Sequence, residues 1–273
     1  MQTMNSRHSF AVNVTMIPAL RSAAMVLGLV GLLSAGTSAT AVTFSFASGD
    51  RSAQAMFQSS LADNSLVVRL ANTSPVDVKE PVYVLTAVFF DLAGNPALTK
   101  ASAVLANGVE VYFGGAPAGG VVGGEWAYRG ALAGAPGSAG LGISSTGLGL
   151  FGPGDRFPGD DLDPPDSPSG LNYGLTSAGD DPTTGNWPVT GKDPLIHGEV
   201  VFTLDGLPSG FDVFTGISNV WFQYGTGLDE PSFEGDGDDG VGGNYIPEPL
   251  TIFCMLGSLG AVGAHVRNRF LTL

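Results

Sequence analysis

Val82–Leu92 (VYVLTAVFFDL) constrains the fold more than any other stretch of this chain. It is β-branched, aromatic and apolar almost throughout, and it reads as a central strand buried on both faces. Shorter runs of the same kind surround it. Val42–Ala47 (VTFSFA) alternates apolar and polar residues as a half-buried strand does. Gln54–Ser59 and Ser65–Ala71 flank Ala62-Asp63-Asn64, a hairpin signal. Asn107-Gly108 turns into Val109–Phe113, and Glu199–Leu204 and Ile217–Tyr224 are two further strands. Between these runs only Ala97–Leu105 carries a weak helical period. Strand runs separated by turn residues predict an all-β chain, a two-sheet antiparallel β-sandwich.

Residues 114–197 differ from the rest. They hold GGAPAGGVVGG, GALAGAPGSAGLG and GPGDRFPGDDLDPPDSPSG, where glycine, proline and aspartate displace strand-length apolar runs. Such a stretch is either an ordered, loop-rich excursion from one edge of the sandwich or an irregular segment. Trp126, Tyr128, Tyr173 and Trp187 favour order, because free linkers carry few large aromatics. Gly235–Gly243 (GDGDDGVGG) reads instead as a flexible acidic tether. The expected organisation is a signal peptide over 1–41, a β-rich domain over 42–234, a linker over 235–245 and a membrane-directed tail over 246–273.

That tail runs Pro247-Glu248-Pro249, then Leu250–Ala264 without a charge, then Arg267 and Arg269. As a helix the apolar part spans about 22 Å, short against a hydrocarbon core of about 30 Å. Basic side chains reaching back to the headgroups shorten that gap, and the prolines sit at the helix entrance, where a missing N–H costs little. A transmembrane helix over about 250–266 is therefore expected, with a buried core helix as the alternative. At the other end Arg7, His8 and Arg21 precede the apolar run Ser22–Leu33 and then Ser38-Ala39-Thr40-Ala41. This is the layout of a signal peptide cut after Ala41, with Ala39 and Ala41 as the small residues that signal peptidase reads. Basic residues flank both apolar runs on their outer sides, which places both ends in the cytoplasm and 42–245 across the membrane, through the secretion translocon.

The three-part tail resembles the PEP-CTERM sorting signal of Gram-negative bacteria that make exopolysaccharide. Pro247, Glu248, Pro249, the apolar run and Arg267/Arg269 carry the likeness; Ile246 stands where Val is commoner, and the run is short. The body is similar to exosortase-dependent surface proteins through VLTAVFFDLAGNPALT (84–99), GGEWAYRG (123–130), GLGLFGPGDRFPG (147–159) and NVWFQYGT (219–226). The resemblance implies processing by exosortase, a membrane cysteine transpeptidase. It further implies delivery to the cell surface or to an extracellular, polysaccharide-rich biofilm matrix, and the body's resemblance implies no known activity.

The chain carries a net charge of −14, and the stretch between the terminal segments is more acidic still because four of the basic residues lie outside it. That excludes nucleic acid, whose binding runs on neutralised phosphates, and it disfavours anionic lipid. It leaves cationic partners and divalent ions open. The one cysteine, Cys254, lies in the apolar tail, so the body has no disulfide.

Catalytic chemistry finds little support in the sequence. His197 is the body's one histidine, no G-x-S-x-G occurs, and the match Gly147–Gly152 to G-x-G-x-x-G comes from a chain with 41 glycines. A carboxylate pair of glycosidase type has nothing to select it among the many acids. The densest constellation is Asp155, Asp160, Asp161, Asp163 and Asp166 among Gly and Pro, candidate calcium ligands in a non-EF-hand order. Asp180/Asp181 and Asp236/Asp238/Asp239 form smaller groups, and a solvated acidic loop is the plain alternative. Trp126, Tyr128, Trp187, Trp221 and Tyr224 are candidates for stacking on sugars, against the plain alternative of core packing. The expectation is thus a non-enzymatic surface or matrix protein without cofactor. The alternatives are a calcium- or polysaccharide-binding module and a secreted glycoside-type hydrolase.

Overall fold

The computed structural model describes residues 40–60, 62–152, 154–159, 170–184 and 193–237. Thirteen strands occupy them: β1 Ala41–Ser48, β2 Arg51–Ser60, β3 Ser65–Asn72, β4 Leu85–Leu92, β5 Thr99–Leu105, β6 Glu110–Tyr112, β7 Ala127–Gly130, β8 Leu141–Ser144, β9 Leu195–His197, β10 Glu199–Asp205, β11 Ile217–Tyr224, β12 Ser232–Glu234 and β13 Asp236–Gly237. One sheet runs β13-β1-β2-β3-β10-β5, a second runs β12-β11-β4-β8-β7, and β6-β9 form a separate ladder. Every ladder between these strands is antiparallel. The all-β, sandwich-like architecture read from the strand runs is what the chain adopts. Among the described residues one α-helical turn occurs, Val213–Gly216, capped by the Asp212 carboxylate on the Phe214 N–H.

Alternation explains the first sheet. Val42, Phe44 and Phe46 of β1, Ala53, Ala55 and Phe57 of β2, Leu66, Val68 and Leu70 of β3, and Val200, Phe202 and Leu204 of β10 all point inward. They meet Leu85, Val88, Phe90, Ile143, Val220, Phe222 and Tyr224 of the second sheet in one continuous core. Phe57 packs edge-on against Phe90 at 5.1 Å between ring centroids, and Phe46 stacks on Phe233 at 4.6 Å, geometries that aromatic quadrupoles favour. Burying such rings stabilises the fold by about 2–3 kcal/mol each in transfer terms alone.

β4 is buried on both faces, as its composition predicts, and the second layer comes from the glycine-rich stretch. Ala87 and Phe89 turn away from the main core into a second cluster with Ala127, Ala135, Ala139, Leu148 and Phe151. The segments on either side of β8, 132–139 and 148–151, thus cover the outer side of the second sheet. The expected excursion over 114–197 is therefore largely structural: it supplies β7 and β8, which extend the sheet from β4, and β9, which pairs with β6. Small residues are needed there because the layers approach closely. A Cβ on Gly142 would lie 2.6 Å from the Phe89 ring.

Three boundaries differ from the sequence reading. The run 82–92 is not one strand: Pro81–Tyr83 forms a 3-10 turn, closed by the Val84 N–H on the Pro81 carbonyl at 3.0 Å, before β4 begins. The weak helical period at 97–105 yields to pairing of β5 with β10, since the ladder satisfies a run of backbone groups that a short helix would leave open at its ends. Asp236 and Gly237, assigned to the tether, pair with Ser45 and Phe44 of β1. No helix among the described residues is long and apolar enough to cross a membrane; the segment 250–266 and the signal peptide before residue 40 lie outside those residues.

Candidate functional site

Of the five aspartates expected to bind calcium, Asp155 is described, and one of its carboxylate oxygens, Oδ2, is held by protein groups. Residues 155–157 run beside β7, with the Tyr128 N–H on the Asp155 carbonyl at 2.9 Å and the Phe157 N–H on the Trp126 carbonyl at 3.1 Å. The Asp155 side chain accepts from the Gly152 N–H at 3.0 Å and faces the Arg129 guanidinium at 3.4 Å. Arg129 also donates to the Leu150 carbonyl at 2.8 Å, so the pair fastens the turn to the strand. Asp160, Asp161, Asp163 and Asp166 lie outside the described residues. Among those described, no three His, Cys, Asp or Glu side chains are grouped to hold a metal.

The structure brings together a different set of acids. Asp77 and Asp180, on loops far apart in sequence, clasp each other's backbone: the Asp77 carboxylate accepts from the Asp181 N–H at 3.1 Å, and the Asp180 carboxylate from the Val78 N–H at 3.1 Å. Thr184 donates to Asp77 and Thr176 to Asp180. Burial pushes Asp77 up, but the bonds from Thr184, Asp181 and Asp180 and the charge of Lys79 outweigh it and hold Asp77 below the usual carboxylate value. Alongside, Ser177 donates to the Val76 carbonyl, the Gly179 N–H to Ser74 and the Ala178 N–H to Asn72. The pair joins loops. Asp77 was not singled out from the sequence, where it is a lone acid with nothing nearby to mark it.

The aromatic candidates are mainly interior. Trp126 and Tyr224 are fully buried, and Tyr128 is 6% exposed. Trp221 lies against the outer cluster and donates from Nε1 to Asn219 Oδ1 at 2.9 Å. Trp187 is outside the described residues. Trp126, Tyr128 and Tyr224 are taken up by core packing, while Trp221 is half-buried. His197 stacks on Tyr112 at 4.8 Å, with Nε2 3.3 Å from the Ala178 carbonyl, a packing role.

Ala41 opens β1 opposite Gln58, and the Thr40 carbonyl accepts the Ser59 N–H at 3.2 Å. Ala39 and the sorting residues Pro247, Glu248, Pro249, Arg267 and Arg269 lie outside the described residues. What the structure adds is the place from which the chain leaves. β13 pairs antiparallel with β1 in the register Phe44↔Gly237 and Ser45↔Asp236, so it runs toward the start of β1. Both ends of the described body depart from the same end of the same sheet edge. No protein-family model matches the sequence, and no curated protein or solved structure matches it.

Proposed function

We propose that the chain is an exported, exosortase-processed structural protein of the cell surface or extracellular matrix. In this reading the body is not catalytic, and the tail holds it in the inner membrane until processing. The observation that carries this reading is the terminal pattern together with the β1–β13 pairing. A body whose first and last strands meet at one sheet edge hangs from that end alone. The opposite end of the sandwich then stays free to face the surroundings. The acidic surface keeps such a body soluble and away from anionic lipid.

The internal commitments of Asp155, Asp77 and Asp180, and the burial of Trp126 and Tyr224, support a scaffold over an enzyme. Replacing Pro247, Glu248 and Pro249 together by alanine tests the reading in the native host. The expected result is a full-length, membrane-held form in place of the released one. Release at the original rate and size overturns the sorting assignment.

A further inference from the structure

β5 ends the first sheet and β7 the second, with residues 121–122 bonded along β5 and 155–157 along β7. A shallow, solvent-open depression of about 370 Å³ lies there, lined by Leu98, Thr99 and Lys100 on one wall, Tyr128 and Arg129 on the other, and Asp155. Ligand clefts start near this size, at about 300 Å³. Lys100 Nζ donates to the Gly154 carbonyl at 2.7 Å, tying the two lips together, which leaves its other ammonium donors for a ligand. The Arg129 side chain is 48% exposed and uses one terminal nitrogen, Nη1, for its contacts to Leu150 and Asp155. In a chain of net charge −14, two cations facing one depression are a local reversal of sign.

Tyr128 supplies an independent observation. The residue is 6% exposed and lines the depression, and its hydroxyl is not among the buried polar atoms left without a partner, so solvent reaches it. A hydroxyl at a solvent-open mouth can exchange its water for a ligand oxygen. Burial pushes the phenol up to about 12, so it remains an O–H donor at neutral pH.

We propose that this depression binds a hydroxylated carboxylate, a uronate unit of an acidic polysaccharide, with its carboxylate on Lys100 and Arg129 and a ring hydroxyl on the Tyr128 hydroxyl. The fourth polar group decides between anions. Asp155, held back by the Gly152 N–H, repels a multiply charged phosphate but accepts a hydroxyl from a singly charged sugar acid. The open mouth lets a polymer continue past on either side. This site is independent of how the chain is sorted, and it uses none of the aromatic rings as a platform.

The test is calorimetric titration of the full chain in detergent with trigalacturonate, with maltotriose and inorganic phosphate as separate arms. Trigalacturonate binds and maltotriose does not; Lys100→Gln weakens binding about tenfold or more, as loss of a charged hydrogen bond does. Tyr128→Phe weakens it severalfold, and a thermal melt checks that each variant is folded. Absence of binding at 10-fold excess over about 1 mM ligand, a weak regime for one charged contact pair, overturns the proposal. So does binding unchanged in a folded Lys100→Gln variant, and phosphate binding as tightly as trigalacturonate overturns the uronate assignment.

Discussion

Phe89 and Phe90 are adjacent, both fully buried, and belong to different clusters. Successive strand side chains point to opposite faces, so Phe90 packs into the core between the sheets while Phe89 packs under 132–139 and 148–151. In an antiparallel sheet with one solvated face, one of the two truncations to alanine would be nearly free. Here each should cost about 3–5 kcal/mol, the transfer term plus the cavity left behind. For Phe89 that cavity opens onto Phe151, whose ring centroid is 6.2 Å away, and onto the backbone of Gly142. Urea unfolding followed by tryptophan fluorescence measures both variants. With a denaturant slope of about 2 kcal/mol/M, each midpoint should fall by about 1.5–2.5 M without a change of slope. A Phe89→Ala cost below about 1 kcal/mol beside a full cost for Phe90→Ala would refute the outer layer. It would return 132–139 and 148–151 to the status of surface loops.

Gly179→Ala should destabilise by about 1–3 kcal/mol, because its Cβ would stand 2.1 Å from the Pro75 carbonyl oxygen, a backbone atom that cannot swing aside; urea midpoints measure it, and a neutral result would mean that the 72–78 and 177–181 loops are not joined. Asp77→Asn addresses the pH response of the same junction. The folded value of Asp77 is lowered, so its stabilising contribution is present above the unfolded value near 3.8 and is lost as pH falls through the lower folded value. The variant should therefore show a flatter stability profile in that acid window, and a parallel profile would refute the assignment. At the other end of the scale Tyr128 is raised to about 12 by burial, so its contribution is present below the unfolded value near 10 and is lost as pH rises through about 12. Tyr128→Phe should remove the corresponding late step from the alkaline titration followed by tyrosinate absorbance, and persistence of that step would refute it.

Much of the first sheet was legible because its strands alternate cleanly and follow one another in sequence. β1, β2 and β3 form consecutive hairpins, and Asn64, at a φ of 51° in the β2–β3 connection, takes a left-handed conformation that asparagine tolerates. β7 and β8 were not legible: four residues each, with Gly142 inside β8, they carry too little pattern to stand out from a glycine-rich background. Their pairing comes from β4, which needed a neighbour, and not from their own propensity. β5 was masked by a weak helical period for the same reason, since its pairing partner β10 lies about a hundred residues further on.

The functional residues obey a related rule. Acids and aromatics are abundant here, so their clusters in sequence mark composition more than chemistry, and the fold uses Asp155, Asp77, Asp180, Trp126 and Tyr224 for its own cohesion. Cations are scarce in this chain, and that makes their placement informative. Arg69 is answered by Glu199 at 2.7 Å across neighbouring strands β3 and β10, and Arg51 lies over the Tyr83 ring at 4.2 Å. Lys100 and Arg129 line one depression together, Lys100 bonded to the Gly154 carbonyl and Arg129 facing Asp155. No local motif joins residues 100, 128 and 129. They meet because β5 and β7 are both edge strands, and that is a property of topology. β5 lies at the edge of the first sheet opposite β13, so the depression is far along that sheet from the strand pair at which both ends of the described body depart.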